Sequence, residues 1–168
     1  QVAELLGAEP SEIVFTSCGT ESDSTAILSA LQTFPEKRHV IKTKVEHPAV
    51  KNLCENLDKF TGQPHRVTRL GVRADGTLDL DDYRDALADD TAVVSAMWAN
   101  NETGVLFPVE KMAELAQERG ILFHTDAVQA VGKVPINMKS NQIDFLSLSG
   151  HKLHAPKGIG VLYVRKRT

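Results

Sequence analysis

The sequence predicts an α/β fold, a mainly parallel sheet sandwiched by helices. Short apolar runs alternate with helix-period segments along the whole chain. Such strand–helix alternation covers both faces of a sheet, as parallel α/β architectures require. The 168 residues, 42% of them hydrophobic, show no repeat, low-complexity tract or linker, and suffice for one core without disulfide staples.

The opening residues Val2, Leu5 and Leu6 share a helical face. Ile13–Thr16 is a strand, followed by a helix over about Thr20–Leu31 with Ala26, Ile27, Ala30 and Leu31 at helical spacing. Val40–Thr43 is the next strand. Pro48 suits the first turn of a helix running to about Phe60. His65–Leu70 is a strand, Asp75-Gly76 a turn, and Asp81 or Asp82 a cap for a helix over Tyr83–Ala88. Ala92–Trp98 is a strand; Pro108 opens a helix that Gly120 ends. Ile121–Thr125, Ile143–Ser149 and Gly160–Val164 complete the strands, with Arg165, Lys166 and Arg167 closing the last run.

A net charge of −3 gives no basic face for nucleic acid. No apolar run approaches the roughly 18 residues a membrane span needs, and no secretory leader pattern is present. Cys18 and Cys54 form neither a metal-ligand spacing nor a disulfide framework, so a reduced, cytoplasmic protein is expected. The mid-helix start and the stop soon after Ile159–Val164 read as those of a piece of a larger protein.

In parallel sheets ligands bind beyond the carboxyl ends of the strands. Ser17-Cys18-Gly19-Thr20-Glu21-Ser22 follows the first strand. This small-residue turn is either a plain helix cap or a phosphate cup of free backbone N–H groups plus the Thr20 hydroxyl. Glu46-His47-Pro48 follows the second, with His47 a capping residue or a group aimed into the strand-end crevice. Asn100-Asn101-Glu102-Thr103-Gly104 is a turn or a polar site loop. Asp126 ends a central strand, as a cap or as partner of a protonated heterocycle nitrogen. Ser149-Gly150-His151-Lys152 places a Lys among small and apolar residues, a surface Lys or a Schiff-base Lys kept neutral by desolvation. His151 and His154 lack a third ligand, so no metal is expected. Together a Lys, a carboxylate, a His and a phosphate cup at successive strand ends make the set that pyridoxal phosphate needs.

Several runs carry a family resemblance. They are Phe15-Thr16-Ser17-Cys18-Gly19-Thr20-Glu21-Ser22, Glu46-His47-Pro48-Ala49-Val50 and Trp98-Ala99-Asn100-Asn101-Glu102-Thr103-Gly104. His124-Thr125-Asp126-Ala127-Val128-Gln129 through Pro135, and Ser147-Leu148-Ser149-Gly150-His151-Lys152 through Gly158, complete them. In this order and spacing the chain resembles the large domain of cysteine desulfurases, in the class V aminotransferase family of fold-type I pyridoxal phosphate enzymes. The run from Thr16 to Thr25 and Trp98-Ala99-Asn100-Asn101 are most similar to the nitrogen-fixation branch, which supplies sulfur for nitrogenase clusters. Housekeeping members more often have a small residue where Cys18 stands.

The resemblance implies a role for each motif residue. Lys152 would hold pyridoxal 5'-phosphate covalently and, once freed, move protons. Asp126 would pair with the pyridinium N–H and Gln129 with the ring hydroxyl. His47 would stack on the ring and serve in acid–base chemistry, with Val128 on the opposite face. Gly19, Thr20, Ser149 and His151 would hold the phosphate, and Asn101 would lie near the ring hydroxyl and the substrate carboxylate. The implied reaction converts L-cysteine to L-alanine and leaves sulfur as a persulfide on a separate enzyme cysteine. That cysteine lies on a loop well past the cofactor Lys, whereas this chain ends 16 residues after Lys152, so neither Cys18 nor Cys54 matches it. Residues 1–168 would thus be one fragment of the cofactor-binding domain, without its N-terminal segment and small domain, and inactive alone. The implied partners are a second identical subunit and an iron–sulfur scaffold protein.

Two other readings are open: a selenocysteine lyase or aminotransferase on the same fold, and a non-enzymatic binding or assembly module. Gly158-Ile159-Gly160 lacks the third glycine and following helix of a dinucleotide fingerprint, and no Walker-type loop occurs.

Overall fold

A computed structural model describes residues 1–166. Its strands are β1 Ile13–Thr16, β2 His39–Thr43, β3 Arg66–Leu70, β4 Thr91–Ser95, β5 Leu122–Asp126, β6 Phe145–Ser149 and β7 Gly160–Val164. Its helices are α1 Val2–Leu6, α2 Gly19–Thr33, α3 Pro48–Glu55, α4 Leu57–Thr61, α5 Leu80–Ala86 and α6 Val109–Gln117, with short 3-10 turns at Pro10–Glu12 and Gly150–Leu153. Arg167, expected to close the last strand, lies outside the described residues.

The strands form one sheet in the order β1-β7-β6-β5-β4-β2-β3. β3, β2, β4, β5 and β6 pair in parallel; β7 runs antiparallel to both β6 and β1. The expected mainly parallel α/β sheet is therefore present. β1 runs in the direction of the parallel set, so its carboxyl end joins those of β2, β4, β5 and β6 at one edge of the sheet. The amino end of β7 meets them there.

Strand side chains alternate between two cores, as a period of two demands. Val40, Val93, Phe145 and Leu162 pack with Ala26, Ile27, Ala30 and Leu31 of α2 and with Val50, Leu53 and Leu57 of α3 and α4. Their neighbours Ile41, Val94, Leu146, Val161 and Tyr163 pack on the opposite face with Leu6, Tyr83, Met112 and Ala113. β2, β4 and β6 are buried along their whole length, so both faces are covered.

Three local expectations are corrected. The helix expected over Pro48–Phe60 is two helices that meet at Asn56. There the Asn56 amide donates to the Asn52 carbonyl and its Oδ1 accepts from Lys59, so local side-chain bonds replace the helical ladder. The α5 cap is Asp79, which accepts from the Asp81 N–H at 2.9 Å, rather than Asp81 or Asp82. In α1 the buried pair is Ala3 and Leu6, while Leu5 is exposed.

One glycine fixes the edge where the strand ends converge. A Cβ on Gly160 would collide with the backbone carbonyl group of Cys18 and stand 2.5 Å from Thr16 Oγ1. Only a bare Cα lets β7 pass beneath the β1–α2 turn. Gly160→Ala is expected to cost about 1–3 kcal/mol, the range for forced overpacking. A urea titration of the variant checks this, and unchanged stability would contradict it.

Candidate active site

The β1–α2 turn is tied down before it meets any ligand. Thr16 Oγ1 lies 2.8 Å from Ser22 Oγ, and the Glu21 carboxylate accepts the Ser17 N–H at 2.6 Å. Cys18 is the N-cap residue in extended backbone, and no side chain caps the helix. The amino end of this 15-residue helix therefore presents N–H groups and the positive end of its dipole to the crevice. A Cβ on Gly19 would stand 3.0 Å from Val128 Cγ2, so the glycine keeps the helix start close to the β5 end.

His47 is both readings at once. Its Nδ1 accepts the Ala49 N–H at 3.1 Å, capping α3, and its exposed ring also lines the crevice. Asn101 reaches the crevice from a loop that its neighbour builds. The buried Asn100 accepts at Oδ1 from the N–H groups of Glu102 and Thr103 and from the Thr103 hydroxyl. Asp126 ends β5 and accepts the Val128 N–H at 3.0 Å. Burial, and then the neighbouring Asp23 charge, push its carboxyl up to about 7. Gln129, half-buried, accepts from Lys133 Nζ at 2.8 Å. Past β6, Ser149 Oγ lies 2.8 Å from His151 Nδ1. Lys152 sits on the following 3-10 turn and is exposed, not enclosed by the small and apolar residues that flank it in sequence.

These groups share one cavity of about 250 Å³. Gly19, Thr20, His47, Asn101, Asp126, Val128, Gln129, Ser149, His151 and Lys152 all line it. Cys18, Met97, Ala99 and Asp23 line it too. The sequence motifs assign no role to Asp23, whose neighbours Glu21, Ser22 and Ser24 are all polar. The signal was its register: Asp23 stands with Ala26, Ile27 and Ala30 at the i, i+3, i+4, i+7 spacing of the buried stripe. No group of three His, Cys, Asp or Glu side chains suited to a metal occurs among the described residues. No helix among them is long and apolar enough to cross a membrane.

Comparison with known proteins gives this cavity a context. The aminotransferase class-V family matches residues 1–168. The cysteine desulfurase NifS of Azotobacter vinelandii is 64% identical over 168 residues, covering 99% of this chain and 41% of that protein. A cysteine desulfurase of Nostoc is 59% identical over 166 residues, again 41% of its length. A solved NifS-like protein superposes with a TM-score of 0.90 at 38% identity, over 99% of this chain and 46% of that one. A structure described as SspA in complex with cysteine gives 0.91 at 41% identity, over 98% and 47%. The chain thus spans less than half the length of these relatives. Its whole length matches the family, and its sheet and cavity stand on the same fold: the chain belongs to the aminotransferase class-V family, whose cysteine desulfurase members depend on pyridoxal phosphate.

Proposed function

We propose that this chain is the cofactor-holding large domain of a cysteine desulfurase, which converts L-cysteine to L-alanine and passes the sulfur on as a persulfide. The observation that carries this is the meeting of five strand ends on one cavity. That cavity holds an uncapped helix start, a buried carboxylate and an exposed Lys. The residues fit pyridoxal phosphate. The α2 amino end and the Thr20, Ser149 and His151 side chains suit the phosphate. Asp126, poised near neutrality, suits a protonated ring nitrogen. When bound, the cofactor supplies an electron sink for charge developing at the substrate Cα.

The chain's own residues would do the rest. Lys152 would anchor the cofactor and, once released, carry a proton at the substrate. His47 spends Nδ1 on the α3 N–H, which leaves Nε2 to hold or move a proton above the ring. Val128 would close the opposite face, while Asn101 and Gln129 would orient the ring hydroxyl. By the family resemblance the sulfur-accepting thiol lies on a loop well past the cofactor Lys, a place that neither thiol here matches. Cys54 is buried and its thiol is pushed up to about 12, so it stays protonated. Cys18 sits at the uncapped helix start. A thiol from outside residues 1–168 would take the sulfur.

The resemblance to the nitrogen-fixation branch supports delivery to an iron–sulfur scaffold protein. The exposed Val14 and Phe15 on edge strand β1 support a homodimer or other covered edge. Two free cysteines support a cytoplasmic setting. Incubation with L-cysteine tests the reading. The full-length protein is expected to release alanine and residues 1–168 alone to release none. Absence of alanine from the full-length protein, or its production by the isolated chain, would contradict it.

A further inference from the structure

Asp23 is nearly inaccessible at 1% exposure, yet among the described residues its Oδ1 has no hydrogen-bond partner. It lies on α2 one turn past the phosphate-cup residues Gly19 and Thr20, and it lines the same cavity as Asp126. A buried carboxylate oxygen without a donor is costly, so its setting calls for a cationic or protic group. His124 is such a group: its Nε2 stands 3.4 Å from Asp23 Oδ1. His124 and Asp126 are two apart on β5 and so point to one face of the sheet, the face that α2 covers. The His124 ring is fully buried and clamped, with Nδ1 2.9 Å from Ser95 Oγ on β4 and Nε2 2.9 Å from Ser147 Oγ on β6. With a carboxylate oxygen beside Nε2, the tautomer carrying its hydrogen on Nε2 turns a donor rather than a lone pair towards Asp23, and Nδ1 then accepts from the Ser95 hydroxyl.

We propose that Asp23 is a positioning residue of this site. Held against the Nε2–H of His124, it joins the phosphate-cup helix to the strand bearing Asp126 and makes the cavity floor a two-carboxylate receptor for a cationic ring. The proposal rests on the pyridoxal phosphate reading above and adds a second carboxylate that the family motifs do not assign. Other titratable groups face the same region. Glu46, from the β2–α3 loop, is buried and shares the electrostatics of Asp126 and Asp23. His47, His151, Lys152 and Cys18 line the cavity from α3, the β6 end and the β1–α2 turn. None of these four is hydrogen-bonded to Asp23.

The test is the pH titration of the bound cofactor's visible band in the full-length protein, comparing wild type with Asp23→Asn and Ser147→Ala. Asn keeps the shape and removes the charge. Ser147→Ala removes a neutral partner of the same imidazole nitrogen. Loss of the charge is expected to lower the band's midpoint by about one pH unit, the lower end for an opposite charge nearby. Ser147→Ala is expected to leave the midpoint in place. In the cofactor-free protein, ring nitrogen-15 shifts are expected to report the Nε2–H tautomer of His124 in wild type and a mixture in Asp23→Asn. An unmoved midpoint in a folded Asp23→Asn variant, equal shifts in both variants, or an Nδ1–H tautomer in wild type would overturn the proposal. A wild type without any cofactor band would overturn instead the reading on which it rests.

Discussion

Replacing Lys152 by Ala is expected to abolish the visible cofactor band while leaving the chain as stable as before. The two outcomes separate because of where Lys152 sits. It is exposed on a 3-10 turn and, among the described residues, has no hydrogen bond or ion pair. A surface substitution of that kind changes stability by no more than about 0.5 kcal/mol. Its amine nevertheless lines the cavity with Asp126, His47 and the α2 amino end, and it would bond the cofactor covalently. An absorption band near roughly 400 nm on adding pyridoxal phosphate, lost in Lys152→Ala, is the expected pair of results. Urea titrations of both proteins should coincide. A band that survives in the variant would place the attachment elsewhere.

The second large effect is on stability in the absence of cofactor. Burial pushes Asp126 up to about 7 and Glu46 up to about 8. The folded chain therefore holds two protons that the unfolded chain has given up near pH 4. Stability that is complete at low pH is lost as pH rises through 7 and 8. His39 acts in the opposite sense. Buried between Thr91 and Thr68, with Arg66 nearby, it is pushed down to about 4. Its contribution grows from pH 4 and is complete near 6.5, the ordinary histidine value. Above that the two carboxyls dominate, and the cofactor-free chain should lose about 2 kcal/mol between pH 6.5 and 8. Glu46→Gln should remove more than half of this loss. Gln keeps an oxygen for the Thr43 hydroxyl and the Met97 N–H, which Glu46 Oε1 accepts at 2.6 and 3.1 Å. Denaturant titrations at the two pH values check it, and a flat or rising stability would contradict it.

The elements that build the strand-end edge were legible because they rest on periodicity. Ile13–Thr16 and Gly160–Val164 fall where the apolar runs place them, and α2 extends the expected helix by a residue or two at each end. What the sequence hid was set by single side chains. Asn56 and Asn52 split one helix into two through bonds that no apolar pattern encodes. Asp79 takes the cap from Asp81 and Asp82 because three acidic residues nearly in a row offer equivalent signals. The antiparallel β7 is invisible to periodicity, since buried strands look alike in either direction. At the cavity the ten expected residues converge, each from a motif at a strand end. Asp23 and Asn100 were missed for opposite reasons. Asp23 is an acidic residue within a helical apolar stripe, masked in sequence by its polar neighbours Glu21, Ser22 and Ser24. Asn100 belongs to a segment that the sequence leaves open as a turn or a polar site loop, and nothing in the pattern marks its Oδ1 as the group that organises it.

If this cavity binds pyridoxal phosphate through Lys152, the cofactor can be trapped on that residue. The direct test is to incubate the protein with the cofactor, reduce with borohydride, and map the modified peptide by mass spectrometry. A single pyridoxyl adduct on Lys152 is expected. Adducts spread over surface lysines such as Lys133 and Lys157, or none at all, would contradict it.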